Sequence, residues 1–215
     1  VYRASLAQAR GDADGTAAHA RHALELVGPG DHLARGAAAG FLGLAAWSDG
    51  NVSLALGTFT QAVASLHAAG NIVDELSGTA LLADMWLVAG RPSRAREVTQ
   101  QALSRAEALG LAGARAAADL HVELGELDVE AGDLEAAERH LEAAASLAED
   151  GSTSESRYRW FVTAGRLAAV RGDHERAITL LSQAEDRYVP GFYPNVRPVA
   201  AVKARLWVAH GDLAR

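Results

Sequence analysis

The chain has 215 residues, 49% of them apolar and 22% charged, a composition that supports a sizeable core and excludes a disordered chain. A net charge of −7 offers no overall positive field to a phosphate backbone, so direct nucleic-acid contact by this segment is not expected. The absence of cysteine excludes a disulfide framework, a thiolate metal site and a cysteine nucleophile.

A short turn phrase recurs along the chain: Ala9-Arg10-Gly11-Asp12, Ser48-Asp49-Gly50-Asn51, Val88-Ala89-Gly90-Arg91, Glu130-Ala131-Gly132-Asp133, Val170-Arg171-Gly172-Asp173 and Ala209-His210-Gly211-Asp212. Its glycines are 39, 40, 42, 40 and 39 residues apart, a period that belongs to repeat architectures. Other columns repeat with them. Seven positions before the glycine stand Ala4, Gly43, Ala83, Gly125, Gly165 and Ala204, and twelve after it stand Ala23, Ala62, Ala102, Ala144 and Ala184. Five after it stand Ala55, Ala95, Ala137 and Ala177, with Thr16 in the first repeat.

The first predicted hairpin turns at Gly11 and the second at Gly50, where Leu42, Ala45 and Ala46 recur at helical spacing before the turn. In the third, Leu82, Met85 and Trp86 do the same before Gly90. In the fourth, Leu134, Ala137, Leu141 and Ala144 line one face after Gly132. A fifth hairpin turns at Gly172 and a partial one at Gly211. Each turn glycine suits a left-handed C-cap, and the Asp or Asn that usually follows suits an N-cap. Small residues at the recurring columns let the two backbones of a hairpin approach closely.

The stretch from Gly50 to Val73 carries no charge, but Asn51, Thr60, Gln61 and His67 interrupt it, so no membrane span is expected. No secretion signal opens the chain, and the expected compartment is the cytoplasm. Val1 lies ten residues before Gly11, whereas a hairpin beginning at His32 has eighteen before Gly50, and Arg215 lies four beyond Gly211. Both ends are therefore expected to cut through hairpins, with residues 1–215 forming one superhelical domain from the interior of a longer protein.

The spacing of the small columns and the turn glycine resembles the tetratricopeptide repeat (TPR), over nearly the whole chain. It departs in its longer period, the usual repeat being ~34 residues, and lacks a proline near the end of each second helix. The resemblance implies an all-α fold, a right-handed superhelix (α-solenoid) of about five and a half hairpins with a ~40-residue period, whose first helices line a concave face. Residues 9–23, 48–62, 88–102, 130–144 and 170–184, with the G-D-x-x-x-A turn and a single lysine, Lys203, resemble more narrowly the sensor region of MalT-like, ATP-dependent LuxR-family transcriptional regulators. That family places a P-loop ATPase before the superhelix and a helix-turn-helix reader after it. An inducer on the superhelix promotes self-association and DNA binding, and the superhelix itself is not an enzyme.

No phosphate loop, zinc-protease helix or nucleophile elbow is present, so no catalytic residue, metal or cofactor is expected. His19, His22 and His140 lack a third converging ligand and read as solvated surface histidines. The acidic run Glu123, Glu126, Asp128 and Glu130 corresponds to Arg157, Arg159 and Arg166 one repeat later, either as inter-repeat ion pairs or a solvated face, or as a polar patch in the groove that binds an effector or a peptide. TPR ligands meet first-helix columns, which here collect Trp47, Asp84, Glu123, Glu126, Arg159, Arg166 and Arg205. An aromatic face with carboxylate or guanidinium partners suits sugars and polyols, which singles out Trp47, Asp84, Glu126 and Arg166. Trp86, Trp207 and Phe161 are expected in the core and Tyr158 at the groove. Residues 188–198, with three prolines, break the pattern as a plug or a binding loop. Two functions follow. One is a sensor that binds a small-molecule effector and relays it to flanking ATPase and DNA-binding domains. The other is a scaffold that receives a peptide or partner protein in the same groove.

Overall fold

Each turn phrase is a helix boundary, because its glycine takes the left-handed conformation that other residues avoid. At Gly50, φ is +75°, its amide donates to the Trp47 carbonyl at 2.9 Å, and the Asn51 amide donates to the Ala46 carbonyl at 2.8 Å. The Asn51 side chain then accepts from the Leu54 amide at 3.1 Å and starts the next helix. Asp12, Asp133 and Asp173 cap their helices in the same way. After Gly90 the cap is absent and Pro92, in the first turn, supplies the helical φ instead.

The computed structural model describes residues 1–110, 114–147, 154–188, 195–209 and 211. The helices are α1 (Tyr2–Ala9), α2 (Ala13–Leu26), α3 (His32–Ser48), α4 (Val52–Ala68), α5 (Ile72–Val88), α6 (Pro92–Ala108), α7 (Ala114–Ala131), α8 (Leu134–Leu147), α9 (Ser154–Val170), α10 (His174–Glu185) and α11 (Val199–Ala209). The described residues contain no strand, and the fold is all-α, built of tandem helical hairpins.

A second set of turns was not anticipated. Gly70 and Gly110, at φ +70° and +68°, follow α4 and α6, and Asn71 caps α5 through its side chain. The joints after α4 and α6 therefore use the left-handed glycine that also closes the hairpins, half a period out of step with it.

The alanines five after each turn glycine are all buried, as is Thr16, and so are the alanines twelve after it. Their partners sit seven before the glycine. A Cβ on Gly43 would lie 2.3 Å from Phe59 Cδ2, and one on Gly165 would lie 2.9 Å from Leu181 Cγ. The helices thus approach more closely than a side chain at those positions permits.

The helices form two compact units, one of Val1–Ala116 and one of Ala117–Pro190 with Asn195–Arg215. In the first, α1 to α6 pack in sequence, and α1 also touches α3. In the second, α8 packs on α9, α9 on α10 and α10 on α11, with α9 also touching α11. First helices thus meet first helices of the next hairpin, the contact by which repeats stack.

Candidate functional site

The second unit holds a buried network of carboxylates and guanidiniums. Glu123, Glu126 and Glu130 stand at helical spacings of three, four and seven on α7 and so share a face, as do Arg159 and Arg166 on α9. Arg159 Nη2 donates to Glu123 Oε2, and Glu123 is wholly buried. Arg166 Nη1 donates to Glu126 Oε1 at 2.9 Å, while its Nη2 donates to Glu130. The inter-repeat ion pairs expected of the acidic run are therefore present at Glu123, Glu126 and Glu130, while Asp128 faces His140.

A third guanidinium completes the set. Arg197 Nε donates to Glu126 Oε1, and Arg197 Nη2 lies 4.0 Å from Glu123 Oε2. Its backbone is held locally: the Arg197 amide donates to Asn195 Oδ1 at 3.0 Å, and its carbonyl accepts from the Tyr158 hydroxyl at 2.7 Å. Asn195 Nδ2 in turn donates to that hydroxyl at 2.8 Å. Tyr158, expected at the groove, is instead buried and positions Arg197. Removing Arg159 would leave the wholly buried Glu123 carboxylate without its hydrogen-bonded partner, at about 3–5 kcal/mol. Glu126 Oε2 is buried and accepts no hydrogen bond among the described residues.

The expected site residues do not all meet here. Trp47 is only 8% exposed and packs with Phe59 and Met85 in the core of the first unit. Asp84 is buried on α5 in the same unit, and Arg205 is exposed on α11. Arg197 was missed because it lies in the pattern break rather than in a groove column. Of that break, residues 189–194, with Pro190 and Pro194, lie outside the described residues.

Several side chains differ from expectation. His140 is no solvated histidine: its Nδ1 lies 2.9 Å from His121 Nδ1, and its Nε2 lies 3.7 Å from the buried Asp128 carboxylate. Its helix, α8, turns that face towards α7. His22 is exposed beside Glu25, as a surface histidine should be. Trp86 is half-buried and packs against the core cluster of the first unit, as expected, while Trp207 is half-buried on α11. Phe161 packs against the Tyr158, Val162 and Leu181 cluster, with the Arg187 guanidinium 4.5 Å from its ring centroid. Among the described residues no three potential metal ligands converge, and no helix is long and apolar enough to cross a membrane.

A separate cavity of about 190 Å3 lies between α8 and α9, with α10 at its rim. Its wall includes the indole of Trp160, fixed by a 2.9 Å hydrogen bond from Nε1 to the Leu141 carbonyl. At the rim, Arg171 Nη2 donates to Glu138 Oε2 at 2.9 Å and to the Leu134 carbonyl at 3.3 Å. The hydrogen bond from Arg171 holds the Glu138 carboxyl below the usual carboxylate range, and Glu138 raises the Arg171 guanidinium in return. Sequence columns built on first helices could not find this cavity, because half of it belongs to a second helix.

No curated protein matches this chain. Among solved structures, its fold is similar to that of BtubC (BKLC) from P. vanneervenii, with a TM-score of 0.66 at 19% identity, over 87% of this chain and 80% of that one. The family described as the MalT-like TPR region matches residues 1–215, and the chain belongs to that family.

Proposed function

We propose that this chain is the effector-sensing and protein-interaction region of a MalT-like, LuxR-family transcriptional regulator, in which ligand binding is relayed to flanking ATPase and DNA-binding modules. Family membership supports the setting. The observation that carries the site is the buried Oε2 of Glu126, which accepts no hydrogen bond among the described residues, within a set of paired charges on α7, α9 and residues 195–198. A polar effector that donates to Glu126 Oε2 draws on the carboxylate that Arg166 and Arg197 share at Oε1, and each guanidinium it loosens must find another partner. In a low-dielectric site such exchange is costly unless the whole network re-pairs, which gives the two discrete arrangements that a relay requires. In this reading Glu126 receives the effector, and Glu123, Arg159, Arg166 and Arg197 form the network that responds to it. The chain itself performs no chemistry, acts in the cytoplasm and self-associates when loaded.

Thermal denaturation of the 215-residue chain against saturating panels of sugars, polyols and other metabolites tests this reading. A true effector at about 100 times its Kd stabilises by ~2.7 kcal/mol, and the shift should vanish in Glu126→Gln. No shift with any metabolite, together with capture of one protein partner, would overturn the sensor reading and leave a peptide-binding scaffold.

A further inference from the structure

The cavity between α8 and α9 goes beyond that reading, because none of the paired charges of the network lines it. On α9 its wall uses Trp160, Ala164, Leu167 and Ala168, the face adjacent to the one that carries Arg159 and Arg166. With Leu141 from α8 these residues make an apolar floor, and the anchored indole gives that floor a preformed shape. The volume of about 190 Å3 lies below the ~300–1,000 Å3 usual for drug-sized ligands, and suits a small metabolite with one compact apolar group.

The rim decides the class of ligand. Arg171 and Glu138 are committed to one another, and Asp173 is committed to capping α10, accepting from the Arg176 amide at 3.1 Å. Two rim charges make no side-chain hydrogen bond or ion pair within 4 Å among the described residues: Glu142 on α8, and Arg176 on α10, which acts on the Glu138 carboxylate only through its field. They are of opposite sign and sit on different helices. An anion alone would gain Arg176 but meet the Glu142 carboxylate, and a cation alone would meet the reverse. A molecule carrying both charges satisfies both groups and brings no net charge to the rim.

We infer that this cavity is a binding site for a free apolar α-amino acid of about leucine or phenylalanine size. Its carboxylate pairs with the Arg176 guanidinium, its ammonium with Glu142, and its side chain rests on Trp160, Leu141 and Leu167.

Isothermal titration of the full 215-residue chain with L-leucine and L-phenylalanine tests the inference. At least one should bind, and Arg176→Gln and Glu142→Gln should each weaken it by about tenfold or more. Both residues are exposed, so neither change threatens the fold, and retention of the helical circular dichroism would check this. 4-Methylpentanoate, which lacks the ammonium, and isopentylamine, which lacks the carboxylate, should lose a similar factor. Ala168→Leu, which fills the cavity, should abolish binding. Glu126→Gln should leave it intact, so this site and the effector network fail or stand separately. Absence of binding by either amino acid, binding of the two singly charged analogues as tight as that of the amino acid, or indifference to both rim substitutions would overturn the assignment.

Discussion

At the scale of single residues, the size of one side chain decides whether two helices can meet. A methyl on Gly43 would lie 2.3 Å from Phe59 Cδ2 and 2.8 Å from Thr58 Oγ1, so Gly43→Ala should destabilise by about 1–3 kcal/mol despite its better helix propensity. Gly57 has nothing within 4 Å of such a methyl, and Gly57→Ala in α4 should stabilise by up to ~1 kcal/mol. Urea unfolding of the two variants should therefore move the midpoint in opposite directions. The buried Glu123 and Arg159 make a second case. Arg159→Met should cost about 3–5 kcal/mol by stranding the carboxylate, and adding Glu123→Leu should recover most of that loss in the same unfolding measurement. The small columns behind the first prediction are plain in the sequence, since a repeated position tolerates only what fits. The partner of each charge is not, because a carboxylate on α7 is chemically satisfied by any guanidinium that reaches it.

At the scale of elements, side chains fasten helices that the apolar core brings together. Arg171, just past the end of α9, reaches both the carboxylate of Glu138 and the Leu134 carbonyl on α8. Arg171 lowers the folded-state pKa of Glu138, so the bond's contribution is fully present above the ordinary carboxylate range and is lost as pH falls through the lowered value. The difference in Tm between the wild type and Glu138→Gln should therefore be steady near pH 7 and shrink to nothing in acid, well below about pH 4. Its size should be modest, because both side chains are partly exposed. Hairpin turns were legible at this scale from glycine and its capping neighbour. The joints at Gly70 and Gly110 obey the same local rule but fall midway between hairpin turns, where the G-D-x-x-x-A phrase does not mark them.

At the scale of the whole molecule, a chain whose repeats touch mainly their neighbours stores its stability locally. Met85→Ala, in the buried cluster of the first unit, should cost about 2–5 kcal/mol. Hydrogen exchange should show the loss chiefly in amides of α3 to α6, with those of α9 and α10 little changed. The all-α repeat class was determined by sequence alone, because glycine turns, caps and small contact columns act over short distances and recur with each unit. The membership of the charge network was decided by tertiary structure. Arg197 and Glu126 are 71 residues apart, and no period relates them. Trp47 shows the converse: its column marked it for a groove, but the neighbours Phe59 and Met85 enclosed it in the core. Periodic contacts repeat a local rule and can be read along the chain, whereas a buried charge finds its partner only where folding brings the two together.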